Sequence, residues 1–424
     1  MLECPVCGGA IQLRAVGLSV NVGCTHCSSL LDVSREDVQI LKKAQKYLGE
    51  PLIPLGTRGV LDGITWEAIG LLRKSSVVGV GERYSWEEYL LYNPYQGFRF
   101  LAQAQGHWTL YRVVKGGQGF DDTTGFELFF QGKAVVDFVL GEFYWRVKKG
   151  DQALLTDLIK PPYVRSVEKS GDEIVTSLGR YLSAAEVSAA FLLSPSQLPR
   201  AVGIAPNQPS PFAPHLRPVL YTSFATLAVA TAIQFVQAGA AKDQLLASDF
   251  FTVTTASRDE VRVTDPIVLG AGTANVCISS HAGLSNNWAE LGATLLNETT
   301  LERRKLQLGM EFYSGFDSGG SWSEGSPKAS GCFPAVPGGI YRLILEADAG
   351  ELNWGMDKRQ TFGFQLRRDV SIWSNWVALL LALLPYPLYL WWRHHSFEYT
   401  RWSESDYMPH TYANIQNAMS SGDE

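Results

Sequence analysis

Most of this chain alternates apolar and polar residues with a period of two, as half-buried strands do. Two long runs without charge interrupt the alternation. The first, PVLYTSFATLAVATAIQFVQAGAA, follows Arg217 and ends before Lys242; the second, VSIWSNWVALLLALLPYPLYLWW, runs from Val370 to Trp392. At about 1.5 Å per residue, each can cross a hydrocarbon layer of about 30 Å. Thr, Ser and Gln in the first run leave a buried core helix as the alternative, which the Pro-rich flank PNQPSPFAP makes weaker. Trp373, Trp376, Trp391 and Trp392 bracket the second as interfacial belts.

Between the breaks the pattern predicts strands. GVLDGITWEAIGLL reads as one strand, or as a hairpin turning at Asp62-Gly63. WEEYLLYNPYQGFRFLAQAQGHWTLYRVV reads as three strands, with turns from Asn93-Pro94 to Gly97 and at Gly106. AVVDFVLGEFYWRVKKGD gives two more, turning near Gly141, and SAAEVSAAF is a helix with Ser183 and Glu186 as its capping box. Upstream, REDVQILKKAQKYL predicts a short amphipathic helix capped by Ser34. Residues 238–369 hold at least six short apolar runs, among them FFTVTT, ANVCISS and GIYRLILEAD, spaced as in a β-sandwich. GFDSGGSWSEGSPKASG within them reads as a loop.

The length of 424 residues exceeds one ordinary core, and 46% apolar with 18% charged residues fits folded material with membrane content. Twelve Trp and seventeen Tyr suit β cores and membrane interfaces. The net charge of -6 argues against a nucleic-acid binder. No basic segment precedes an apolar run at the start, so a secretory signal is not expected and the N-terminus is expected to stay in the cytoplasm.

Cys4 and Cys7 form one C-x-x-C pair, Cys24 and Cys27 a second, sixteen residues on. This spacing predicts a structural Zn2+ held by four thiolates, with metal binding supplying the folding energy of a segment too short to build its own core. A redox role needs a βαβ context that is missing, and four cysteines close the shell against catalysis. His26 reads as a solvated neighbour. With Arg14 the one cation nearby, nucleic-acid contact is not expected, and docking to a protein is. Cys277 and Cys332 lie beyond the first span; they are read as a disulfide or as two buried thiols, the bond being favoured in an oxidising compartment.

The stretches WEEYLLYNPYQGFRFL, GHW, GEFYWRVKKGD with a following PP, and YLSAAEVSAAF resemble a bacterial domain-of-unknown-function family, number 4178. The resemblance covers roughly residues 51 to 191. It implies an N-terminal zinc ribbon and a membrane-linked stress or polyamine-related context, and it supplies no catalytic residues. FEYTRWSESDY resembles the tail of two-span members of the family. There Tyr399 and Trp402 lie either at headgroup level or in a disordered tail.

The picture is a mainly β, multi-domain integral membrane protein. A zinc ribbon (1–32), a helical linker (33–50), a cytoplasmic β-rich domain (51–191) and a Pro-rich linker (192–217) precede the first transmembrane helix (218–237). An extracytoplasmic β-sandwich (238–369), the second transmembrane helix (370–392) and a cytoplasmic tail (393–424) follow. Arg200 and Arg217 before the first span, and Arg393 and Arg401 after the second, place both ends in the cytoplasm of a bacterium's inner membrane; Arg367 and Arg368 oppose this. Candidate chemistry is sparse. Glu87 and Glu88 point to opposite faces of a strand, and Asp137 joins no pattern. Glu142 reads as a carboxylate holding backbone N–H groups, or as an acid with a raised pKa. His107 reads as the rim of a hairpin, and Trp66, Trp86, Trp108 and Trp145 as core. GVGERY and GAGTAN lack the third glycine of a dinucleotide fingerprint, and P-loop and nucleophile-elbow motifs are missing. The expected function is a non-enzymatic adaptor or sensor, anchored in the lipid bilayer and binding a cytoplasmic protein partner. The alternative is an enzyme acting through Glu142 on a polyamine or other small cation.

Overall fold

The computed structural model describes every residue except 36–37, 44–48, 79–80, 115–123, 255–259, 318, 350–358 and 413–424. The chain forms two compact units, Met1–Val219 with Tyr386–Glu424, and Leu220–Pro385.

The first unit is built on a closed barrel. One antiparallel meander comprises β7 (Ile64–Val78), β8 (Glu82–Asn93), β9 (Gly97–Ala104) and β10 (His107–Val114). A second comprises β11 (Glu127–Phe143), β12 (Gln152–Lys160), β13 (Tyr163–Ser170) and β14 (Glu173–Leu182). β11 pairs β7 and β10 pairs β14, so the eight strands close into a ring and leave no free edge there. Alternation then divides the side chains. Trp66, Leu71, Tyr89, Leu101 and Trp108 face outward and are covered by Ile53 and by Val187 and Phe191 of α1 (Ala184–Phe191). Leu72, Leu90, Val136 and Val139 face the lumen. Ser183 and Glu186 cap α1 reciprocally.

The ribbon hairpins β1 (Leu2–Glu3) with β2 (Ala10–Ile11), and β3 (Asn21–Gly23) with β4 (Leu30–Asp32), precede the barrel. β3 pairs the far end of β11, and β6 (Arg58–Leu61) pairs β7 through a turn at Asp62-Gly63. The expected turn at Gly141 does not form: β11 runs unbroken through it, and the chain turns only at Lys148–Asp151. Gly141 is instead where three strands meet. Its φ is +79°, and a Cβ there would lie 2.3 Å from the Ile69 carbonyl. The helix expected after Ser34 is also corrected. Its described middle, β5 (Gln39–Lys42), is a strand on β4; Arg35, Val38 and Lys43 are not helical, and residues 36–37 and 44–48 lie outside the described residues.

The stretch read as a linker is packed against the barrel, burying Leu198, Ala205 and Asn207. Two helices are long and apolar enough to cross a membrane: α2 (Ala213–Ala240), and Ser374–Ser403, which comprises α3 (Ser374–Leu383) and α4 (Pro385–Ser403). Only 6% of the first one's apolar window is buried, far less than in a core helix. The polar tail was expected to begin at Arg393, but α4 continues to Ser403 and Trp402 is 4% exposed, seated between Phe129, Ile159 and Val164 at one end of the barrel. Ser405 Oγ donates to the Phe129 carbonyl (2.5 Å) beside it.

In the second unit, a four-stranded sheet is ordered β15 (Gln244–Thr254), β24 (Arg359–Arg368), β18 (Ala274–Ala282), β22 (Lys328–Val336). It shares one core with a sheet ordered β16 (Arg262–Val263), β23 (Gly339–Ala349), β19 (Asn287–Asn297), β20 (Arg303–Asp317), β21 (Gly320–Ser326), with β17 (Ile267–Leu269) beside β23. β20 and β21 form a hairpin through the stretch expected to be a loop. Cys277 and Cys332 lie directly opposite each other on β18 and β22 and are joined as a disulfide.

Trp402→Ala removes the one indole that closes the barrel's end. It should cost the first unit about 3 kcal/mol, read as a lowered urea midpoint of the full chain in detergent. A midpoint unchanged from the parent protein would mean that the barrel does not use this side chain.

Candidate metal centre and barrel lumen

The two cysteine knuckles have the same backbone. Cys4 accepts from the Gly8 amide (2.8 Å) and donates to the Gly9 carbonyl (2.9 Å); Cys24 accepts from Ser28 (2.9 Å) and donates to Ser29 (2.8 Å). Each knuckle turns on a left-handed residue, Gly8 (φ 72°) or Ser28 (φ 56°). The four sulfurs all lie within 4.8 Å of one another, with Cys4–Cys27 at 3.8 Å and Cys7–Cys24 at 3.9 Å. Tetrahedral metal–sulfur bonds of about 2.3 Å place sulfurs about 3.8 Å apart. Cys4, Cys7, Cys24 and Cys27 therefore fit a metal ion. His26 stays outside the set, its Nε2 3.1 Å from the Ala10 carbonyl. Burial pushes the Cys24 thiol up to about 12. Cys27 is also raised by burial, but the Ser29 hydroxyl and amide and the neighbouring sulfurs reverse this, to about 6. Loading a metal must therefore displace protons.

Glu142 joins this centre to the barrel. Its carboxylate accepts from the amides of Arg14 (2.7 Å) and Ala15 (3.0 Å) and from the Ser19 hydroxyl (2.8 Å). It is 2% exposed. Of the two readings of this residue, the geometry is that of a carboxylate holding backbone N–H groups. Asn21 adds a bond from Nδ2 to the Val147 carbonyl (2.8 Å).

The lumen holds a charge cluster that the sequence did not announce. Lys74 on β7 is 6% exposed, and its Nζ lies 3.0 Å from Glu88 on β8 and 3.2 Å from Glu168 on β13. β7 and β13 are three strands apart around the ring, so this contact can only pass through the interior. Burial alone would lower the Lys74 pKa, and the two carboxylates more than reverse it. Trp86 Nε1 donates to Glu88 (2.7 Å). Asp157 on β12 is pushed up to about 6, first by burial and then by Glu88 and Glu168, against the Ser166 hydroxyl and Lys74. Burial, Asp157 and Glu88 raise the Tyr111 phenol.

The remaining candidates separate. Glu87 faces outward, 2.8 Å from Arg73, while Glu88 faces inward, as opposite faces of a strand require. Asp137 pairs with Arg83 on the outside. His107 sits at the end of the β9–β10 hairpin, opposite Ala104, but is covered there: it is 7% exposed, bridges the Tyr181 hydroxyl (3.0 Å) and the Val202 carbonyl (3.1 Å), and burial lowers its pKa. Trp66 and Trp108 are core, and Trp145 packs edge-to-face with Phe100, Phe143 and Tyr144.

Removing one partner of a buried pair leaves an uncompensated charge, so Lys74→Met should destabilise the barrel by about 3 kcal/mol and adding Glu88→Leu should recover part of it. Chemical unfolding of the two variants tests this; a double variant weaker than the single one would refute it. Asp157 supplies a pH test. Its folded pKa lies above the ordinary value, so its ionised form costs stability. That cost is absent below about pH 4 and complete above about pH 6. Asp157→Asn should therefore stabilise the protein at pH 7.5, with the gain shrinking as pH falls to 5. A gain independent of pH would show that the carboxylate is solvated.

Residues 54–184 match the family described as Domain of unknown function (DUF4178), from just before β6 to the start of α1. No curated protein matches the chain. The matched stretch contains all eight strands of the ring together with Lys74, Glu88, Glu142, Asp157 and Glu168. The closed barrel of this chain is thus a DUF4178 domain.

Proposed function

We propose that this protein is a non-enzymatic adaptor or sensor anchored in the inner membrane of a bacterium. α2 and the α3–α4 segment cross the bilayer. The ribbon, the barrel and both termini lie in the cytoplasm, and residues 238–369 lie outside. A structural Zn2+ holds Cys4, Cys7, Cys24 and Cys27, and a cytoplasmic protein partner docks on the ribbon–barrel unit. Context comes from the resemblance alone, a membrane-stress or polyamine-linked system.

The observation that carries this reading is the sorting of the cysteines. Four free thiols converge in one unit, and the other two form a disulfide in the unit reached through the apolar helices. Thiolates suit a reducing compartment and a disulfide an oxidising one. The ribbon also leaves Val16 76% and Leu18 48% exposed, apolar surface of the kind a partner covers. The enzyme reading loses support at its named acid, because both Glu142 oxygens accept structural hydrogen bonds.

Purified full chain should contain about one zinc per molecule, and Cys7→Ser should lower that content. In sealed spheroplasts a membrane-impermeant maleimide should spare the four N-terminal cysteines, and a tag placed before Met1 should resist external protease. Val16→Ser with Leu18→Ser should abolish cross-linking to the partner while leaving the zinc in place. A protease-accessible tag would overturn the topology; unchanged cross-linking would overturn the docking surface.

A further inference from the structure

The outward face of β19, β20 and β21 in the sandwich carries a line of aromatic rings that neither the metal centre nor the lumen uses. Strand register fixes which side chains share this face. Trp288 lies opposite Glu311, and Glu311 opposite Ser326. Tyr313 lies opposite Glu324, and Gly315 opposite Trp322. Residues directly opposite share a face, and every second residue along a strand returns to it. Ala289, Leu308 and Met310 take the other face and are core. Trp288, Tyr313 and Trp322 therefore stand in one diagonal line across three strands. Diagonal cross-strand neighbours are about 7–8 Å apart, so the line spans about 15 Å. Trp288 is 40% and Trp322 45% exposed, and Tyr313 is half-buried. Glycines keep the floor beneath the rings low. A Cβ at Gly315 would lie 2.7 Å from the Trp322 ring, so this indole rests on bare backbone, and a Cβ at Gly309 would meet nothing within 4 Å.

The charges around the rings are acidic. Glu290, Glu311 and Glu324 have no ion-pair partner among the described residues, because Arg262, Arg304 and Arg342 pair with other carboxylates. Asp317 at the tip accepts from the Gly319 amide (2.8 Å). Lys305 is six residues, about 20 Å, from Glu311 along β20, and Lys328 has crossed into the other sheet. The outward positions of β20 and β21 hold no aliphatic side chain. Anionic lipid and nucleic acid call for cations, and a protein partner for an apolar core. Flat rings on a bare floor, flanked by carboxylate acceptors, instead match the apolar faces and ring-edge hydroxyls of pyranoses. We propose that this face binds an extended glycan strand: Trp288, Tyr313 and Trp322 stack on its sugar rings, and Glu311 and Glu324 accept its hydroxyls. A straight line of rings selects a β-linked strand over a coiled α-linked one. Its source is the cell wall, as a β-linked N-acetylhexosamine polymer; that source rests on the topology proposed above, which puts the sandwich outside.

The test is calorimetric titration of the full chain with N-acetylglucosamine oligomers of increasing length. The chain is held in lipid nanodiscs, so that no sugar-headed detergent competes. Affinity should rise with oligomer length until the line of rings is spanned, and α-linked maltopentaose should bind at least about tenfold more weakly than the longest β-linked oligomer. Trp288→Ala and Trp322→Ala should each weaken binding about tenfold, the loss expected for one stacked ring. Gly315→Ala keeps both indoles and pushes Trp322 off its seat, and should weaken binding at least about threefold. This variant keeps the proposal testable if either tryptophan variant misfolds. No binding of any oligomer, equal binding of maltopentaose, or affinities unmoved by all three variants would overturn the proposal. So would two chains per nanodisc that become one in Trp322→Ala, which would give the face to a second copy. The titration reads the face whichever side of the membrane it occupies, so a failed topology would change the glycan's source and leave the measured affinity as it is.

Discussion

The ladder between β11 and β7 is the seam on which this molecule closes. β11 is shared by three neighbours: β12 along its first half, β7 through its middle and β3 at its end. Without the β7 pairing, two four-stranded meanders would each expose an edge and an apolar face. With it, one face of each becomes a lumen. The ribbon uses the same strand for its own attachment, and Glu142, one residue after the triple junction, accepts the amides that fix its loop. A bulge in each strand, at Ala68/Gly70 and at Val136/Phe138, lets the two long strands bend around the junction.

Closure explains the ionic cluster. A barrel of eight strands has an interior just wide enough to be filled by side chains. Here the aromatic side chains Phe98, Phe100, Tyr144 and Trp145 fill one end of the lumen and Trp402 the other. The middle holds Lys74 between Glu88 and Glu168. Such a cluster adds little net stability compared with an apolar filling, but it penalises any register that separates the charges. That property suits a strand system in which slippage by one residue would turn every side chain inside out.

Much of this was legible beforehand, and the failures have physical causes. The meander turns at Asn93–Gly97 and Gly106, the Asp62-Gly63 hairpin and the capping box of α1 follow from turn and cap chemistry, which is local. The four cysteines were legible because their spacing is itself the geometry. Ring closure was not, because it depends on which strands meet across the chain, and period-two alternation looks the same in an open sheet. Lys74 was passed over for that reason: in LLRKSSVV it reads as one more solvent-facing charge, and only closure turns it inward. Gly141 misled because glycine marks a turn far more often than a crossing of strands. Gln39–Lys42 has the composition of a helix, yet it pairs with β4, tertiary contact overriding propensity.

The seating of Trp402 has a consequence for biosynthesis. The last strand of the ring ends at Leu182, and the indole that stops its lower end leaves the ribosome about 220 residues later, a delay of roughly 10 to 40 seconds. Throughout that interval the indole that packs on Phe129, Ile159 and Val164 has not yet been made. A nascent chain truncated anywhere before α4 ends lacks this side chain, so the finished barrel end requires that translation has passed both apolar segments.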